Sequence, residues 1–177
     1  MLATVTAVYA HEDDDDANNY EADVRLKHDG LELRKTPIAV PHVGVAAPPR
    51  VGDLVLVQFL DGDVQQPLIT GRFYHEEERP PLFKEDDVLF EHRLPDGKRN
   101  HLRLAADGSI YLQRDVTKPE DNSEFKAGIK IDPDGNIELK TGDKVVITLK
   151  EGEISIKCDK MTVEGNVEIT GDLKVSK

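Results

Sequence analysis

The chain has 177 residues, a formal net charge of -12, 13 glycines, 10 prolines and only 5% aromatic residues. That balance favours strands and turns over a helical bundle, and no window of a dozen residues repeats apolar positions at helical spacing. The single cysteine, Cys158, excludes an internal disulfide. No apolar run reaches the roughly 18 residues of a membrane span, and the N-terminus is too short and too uncharged for a signal peptide, so synthesis in the cytoplasm is expected.

The acidity is uneven. Residues Met1 to Leu94 hold 19 acidic and 9 basic residues, whereas residues 95–177 hold 16 and 14. Nucleic-acid grooves are lined with clustered Lys and Arg that displace counterions from phosphates. An acidic N-terminal half without interleaved aromatics therefore argues against nucleic acid as a partner.

In chain order, Leu2 to Ala10 alternates into a first strand, followed by the acidic run Glu12 to Asp16. The run lacks the glycine that a calcium loop places among its ligands and reads as a solvated loop tip. Tyr20–Leu26 and Leu31–Leu33 flank a turn at His28-Asp29-Gly30. Four prolines between Lys35 and Pro49 predict an extended loop wrapping the barrel, because proline cannot donate to a ladder. Then Gly52-Asp53 opens the apolar run Leu54 to Val57 and Phe59-Leu60, which reads as a strand buried on both faces. Asp61-Gly62-Asp63 turns it, Pro67 admits the return strand Leu68-Ile69-Thr70, and Gly71 bends the exit.

The string from Pro48 to His75, with Gly52, Asp53, Asp61, Gly62, Pro67 and Gly71 in that order, resembles the OB-fold domain of phage baseplate assembly protein V. This is the central spike family of contractile tails, and the string is similar as well to the spike part of type VI secretion valine-glycine repeat proteins. The resemblance covers about Met1 to His75 and implies an OB barrel at residues 1–75.

Residues 76–94, with Glu76-Glu77-Glu78, Pro80-Pro81 and Glu85-Asp86-Asp87, read as an acidic, proline-stiffened linker with a connecting strand. From Asp107 a unit of turn glycine followed by a short amphipathic strand recurs, at Gly108, Gly135, Gly152, Gly165 and Gly171. Its apolar positions are Ile129, Ile131, Ile137, Leu139, Val145, Ile147, Leu149, Ile154, Ile156, Cys158, Val163, Val167, Ile169, Leu173 and Val175. Each aliphatic side chain kept from water contributes about 1.5–3 kcal/mol, so leaving this stripe exposed forfeits more than a domain's net stability of about 5–15 kcal/mol. Three copies around one axis would bury it; a lone solenoid is the rival. The stretch from Leu104 to Lys177 resembles the triple-stranded β-helix of contractile-tail spikes. The expected fold is therefore all-β, an N-terminal OB barrel and an intertwined trimeric β-helical needle over residues 95–177.

No catalytic signature is present: no nucleophile elbow, phosphate loop or His-Glu-x-x-His. His92 and His101 flank a basic hairpin and read as solvated or structural, and Asp132-Pro133-Asp134-Gly135 reads as a β-turn. No catalytic residue, cofactor or metal ligand is expected. Many spikes of the resembled family end in a His-x-His pair that holds an axial iron; this sequence has none, and a separate tip protein is expected instead. The resemblance implies a structural spike of a contractile particle (phage baseplate, tailocin or related machine). Its partners would be two further copies and a hub protein at the OB end, and it would touch the target membrane only mechanically. The chain lacks the N-terminal hub of the secretion-type spikes, which favours a phage-like machine. The alternative is an OB-fold module for sugar or nucleic acid on a β-rich oligomerisation stalk.

Overall fold

A computed structural model describes residues 1–119 and 123–175. Two compact units divide it, Met1–Pro80 and Pro81–Lys177. The expected end of the needle at Ser176 and Lys177 lies outside the described residues.

The first unit is a five-stranded sheet of β1 (Leu2–Val8), β2 (Glu21–Leu26), β3 (Glu32–Pro37), β4 (Leu54–Phe59) and β5 (Pro67–Phe73), in the order β3-β2-β1-β4-β5. Ile38 bridges Ile69 in parallel, and the Ala39 amide donates to the Ile69 carbonyl at 2.8 Å, joining the two outer strands into a barrel. Every second residue points inward: Ala3, Val5, Ala22, Val24, Val55, Val57 and Ile69 are fully buried. β4 does not have the two equally buried faces that its apolar run suggests; Val55 and Val57 are buried while Leu54 and Leu56 are half-buried. β3 also runs into the proline-rich stretch expected to be loop, and Thr36 within it is fully buried.

Turn chemistry accounts for the barrel's shape. Asp61 and Gly62 both take positive φ, 52° and 78°, and the Asp63 amide closes the turn on the Leu60 carbonyl at 2.9 Å. Two consecutive left-handed residues match the twist of antiparallel strands. Pro67 enters β5 opposite Phe59, where a missing N–H is tolerated at a strand's first position. The register slips one residue between Leu56–Gly71 and Val57–Ile69, so the bend assigned to Gly71 is a β-bulge beside Thr70. A second bulge sets Lys35 at φ 48°, its amide held at 2.7 Å by the Asp23 carboxylate.

The second unit contains one seven-stranded antiparallel sheet: β6 (Val88–Arg93), β7 (Arg99–Leu104), β8 (Ile110–Arg114), β9 (Ala127–Ile131), β10 (Ile137–Thr141), β11 (Val145–Lys150) and β12 (Glu153–Lys157). Each strand pairs with its neighbour in sequence, which is a meander and not the coil of a solenoid. β6 lies in the segment read as a linker and connecting strand, yet it pairs with β7 along its whole length. Strands β6–β12 bond within one chain, so the ladder here is not intertwined. Residues 159–175 form no strand, although they carry the same glycine-led pattern as β8, β10 and β12. They pair with no strand among the described residues, although β12 is an edge strand, and an isolated strand leaves its amides to water.

Candidate functional site: an apolar sheet face

The cross-strand register of the second sheet sorts its side chains into rows. One row runs Phe90, Leu102, Leu112, Ile129, Leu139, Ile147, Ile156. The next runs Val88, Leu104, Ile110, Ile131, Ile137, Leu149, Ile154. Directly opposed residues in a ladder have Cβ atoms about 5 Å apart, so these are two continuous apolar ribs across all seven strands. Because strand side chains alternate, both ribs stand on one face. Nothing among the described residues of this unit covers it: Phe90 is 65%, Leu112 55% and Ile154 70% exposed.

The expected stripe from Ile129 to Ile156 lies on this face, joined by Val145 at one end of β11. Cys158, half-buried, follows β12. Val163, Val167, Ile169, Leu173 and Val175 are exposed in the strandless segment and are not brought onto the sheet. The reading began too late in the chain, since Val88, Phe90, Leu102, Leu104, Ile110 and Leu112 form the same ribs. The period-two alternation in Val88-Leu89-Phe90 and in Leu102-Arg103-Leu104 was the signal for them.

The opposite face buries polar groups. The His101 side chain is fully buried and its Nε2 lies 2.8 Å from Glu91 Oε2, while Arg93 also pairs with Glu91. Burial pushes the Glu91 carboxyl up, but Arg93 and His101 outweigh it and hold it below its usual range. Asp87, 1% exposed, pairs with Arg103; the Lys84 amide first, then the Ala106 amide and the Arg103 guanidinium, keep its carboxyl low. His92 stands on the apolar face, so the two histidines cannot meet across the hairpin. Over this polar face lies the Phe125 ring, so close to Gly128 that a Cβ there would sit 3.0 Å from it.

In the barrel, the signature residues shape turns. Gly52 has φ 99°, its amide donates to the Val5 carbonyl, and the Asp53 carboxylate accepts from the Arg50 amide at 2.9 Å. The acidic run folds on itself: Asp16 accepts from the His11 ring, then from the amides of Glu12, Asn18 and Asp13, which lowers its carboxyl to about 2. At the other candidate loop, Asp132 accepts from the amides of Asp134 and Asn136, closing a β-turn. Among the described residues no group of three metal-ligating side chains converges, and no helix is long and apolar enough to cross a membrane.

The fold defines an all-β chain whose first unit is a small five-stranded barrel. Residues 34–74 match the family model of the type VI secretion system/phage-baseplate injector OB domain. The chain is 34% identical over 139 residues to the actin cross-linking toxin VgrG1 of Vibrio cholerae, covering 68% of this chain and 12% of that protein. It is 53% identical over 46 residues to the type VI secretion system spike protein VgrG2a of Pseudomonas aeruginosa, covering 26% of this chain and 6% of the relative. The spike protein VgrG5 of the same organism is 60% identical over 38 residues, 22% of this chain and 5% of its own length. The chain thus spans a small fraction of the curated relatives it matches. A similarity covering 68% of 177 residues exceeds what the first unit of residues 1–80 holds, so the likeness to the toxin reaches into the second unit. These likenesses support assignment of the chain to the phage-baseplate and secretion-spike family.

Proposed function

We propose that the chain is a structural spike module of a contractile injection machine and that three copies assemble on the apolar face. The observation that carries this reading is the pair of ribs crossing seven strands without a cover among the described residues of their unit. Burying fourteen such side chains at about 1.5–3 kcal/mol each would outweigh the association cost of about 4–15 kcal/mol per copy. Three flat walls facing one axis enclose a dry aliphatic interior, with the polar faces outward. Each wall is then one chain's own sheet, and the strandless residues 159–175 become strands only by pairing between copies, which winds the far end of the needle. Such a shaft would pierce an envelope mechanically when driven, because its outer face is mainly charged and polar. The OB barrel is the collar that meets a hub protein, and the exposed Leu173 and Val175 are what a tip protein would cover.

Light scattering tests the assembly: three times 19.7 kDa supports it and a monomer at micromolar concentration overturns it. Purified protein mixed with dye-loaded liposomes should release no dye, and spontaneous release would count against a purely mechanical role.

A further inference from the structure

The seven strands of the second sheet share a charge polarity that the apolar ribs do not require. At one edge lie the starts of β6, β8, β10 and β12 and the ends of β7, β9 and β11; acids sit there, at Asp86, Asp107, Asp132, Asp134, Glu151 and Glu153. At the other edge the strands end or begin on cations: Arg93, Arg99, Arg114, Lys126, Lys144 and Lys157. None of the six acids forms an ion pair among the described residues. The turns between strands at their edge, residues 105–109, 132–136 and 151–152, hold no Lys or Arg; Lys150, the last residue of β11, stands opposite Glu153 in the ladder. The basic edge is partly neutralised within its own chain: Arg93 and Arg99 pair with Glu91, Arg114 with Asp115, Lys98 with Asp96, Lys140 with Asp143 and Lys144 with Asp159. Glu124 in the β8–β9 connection adds an acid, paired with Lys118. The pairs on Asp96 and Asp159 are half-exposed or more and weak enough to exchange.

We propose that the two edges are complementary docking surfaces for each other in neighbouring copies, the acidic edge of one wall closing against the basic edge of the next. This rests on the reading of the apolar face as an assembly interface and specifies how the walls meet. Rotation about an axis parallel to the cross-strand direction brings the end of a strand in one copy beside the start of the same strand in the next. Arg114 at the end of β8 then approaches Asp107 at its start, and Lys157 at the end of β12 approaches Glu153. The contact is head-to-tail, so it closes a ring whose copies all point the same way. Two sheets stacked face to face about a two-fold axis parallel to their strands would bury the same ribs but set acidic edge against acidic edge and basic edge against basic edge. The charges select against that arrangement, whereas the ribs alone, apolar along their whole length, do not.

Three variants of the full chain test this by urea dissociation at low salt, followed by light scattering. One carries Asp134→Lys, Glu151→Lys and Glu153→Lys; the second carries Lys126→Glu, Lys144→Glu and Lys157→Glu, the cations that the same rotation sets against those acids; the third carries all six. Each of the first two sets like charges against each other at three contacts, Lys126 with Asp134, Lys144 with Glu151 and Lys157 with Glu153, and at the parent's midpoint its assembled fraction should fall about tenfold. In the third those three contacts pair opposite charges again, and the parent's midpoint should return. That recovery separates edge complementarity from damage to folding, since the third variant contains every substitution of the others. A trimeric parent whose first two variants dissociate as it does overturns the proposal and leaves the assembly reading intact. So does a third variant that fails to regain the parent's midpoint. A parent that is monomeric without urea overturns both.

Discussion

The two units use the same alternating strands and reach opposite ends with them. In the barrel, β1, β2, β4 and β5 curl until their inner residues face one another, and Val5, Val24, Val55 and Ile69 lose almost all exposure. In the second sheet the alternation is as regular, but no strand curls back, and Phe90, Leu112 and Ile154 stay in water. The barrel has three register slips, each twisting the sheet toward closure. The second sheet has none in any of its six pairings, so it stays an open wall. A bulge thus decides whether a chain buries its apolar face alone or leaves it to another molecule.

The largest effect should come from a charge on the wall. Leu112→Asp or Ile147→Asp would bring three carboxylates together near one axis at several kcal/mol per buried ion. Light scattering should then show monomer, while the barrel's melting is unchanged. Breaking the buried pair with Asp87→Asn should cost about 3–5 kcal/mol, because Arg103 is left charged and unpartnered away from water. Urea unfolding should report it in the second unit alone. In the barrel the matching loss is a cavity: Ile69→Ala should cost about 2–5 kcal/mol. The same truncation at the exposed Ile154 should leave the single chain's stability nearly unchanged and weaken only its assembly, which sharpens the contrast between the units.

The acid dependence should be gentler. Asp87 has its carboxyl lowered in the fold, so its contribution is present above the ordinary aspartate value near 3.8 and is lost as pH falls through the lower folded value. Asp16, held at about 2, follows the same sign in its loop. Carboxyl NMR shifts should place the Asp16 midpoint near that value, and a midpoint near 4 would show that the loop does not close on it. The smallest effect belongs to Gly62→Ala, about 1 kcal/mol for a side chain at φ 78° in the β4–β5 turn.

Much of this was legible in residues alone. Asp61-Gly62 demanded a turn with positive φ, Pro67 could stand only at a strand's start, and the period-two stripe from Ile129 to Ile156 required one apolar face. Local chemistry determined these because turn conformation and side-chain alternation act over two to four residues. What tertiary structure decided depends on register. Glu91 meets His101, and Asp87 meets Arg103, only because β6 and β7 pair in one alignment, and a slip of one residue would put those charges on the other face. The same register joined Phe90, Leu102 and Leu112 to the stripe and made it two ribs. For residues 159–175 the sequence supplied a strand pattern, yet no described strand pairs with them. A strand's hydrogen bonds belong to a pair, so its pattern alone does not make it one.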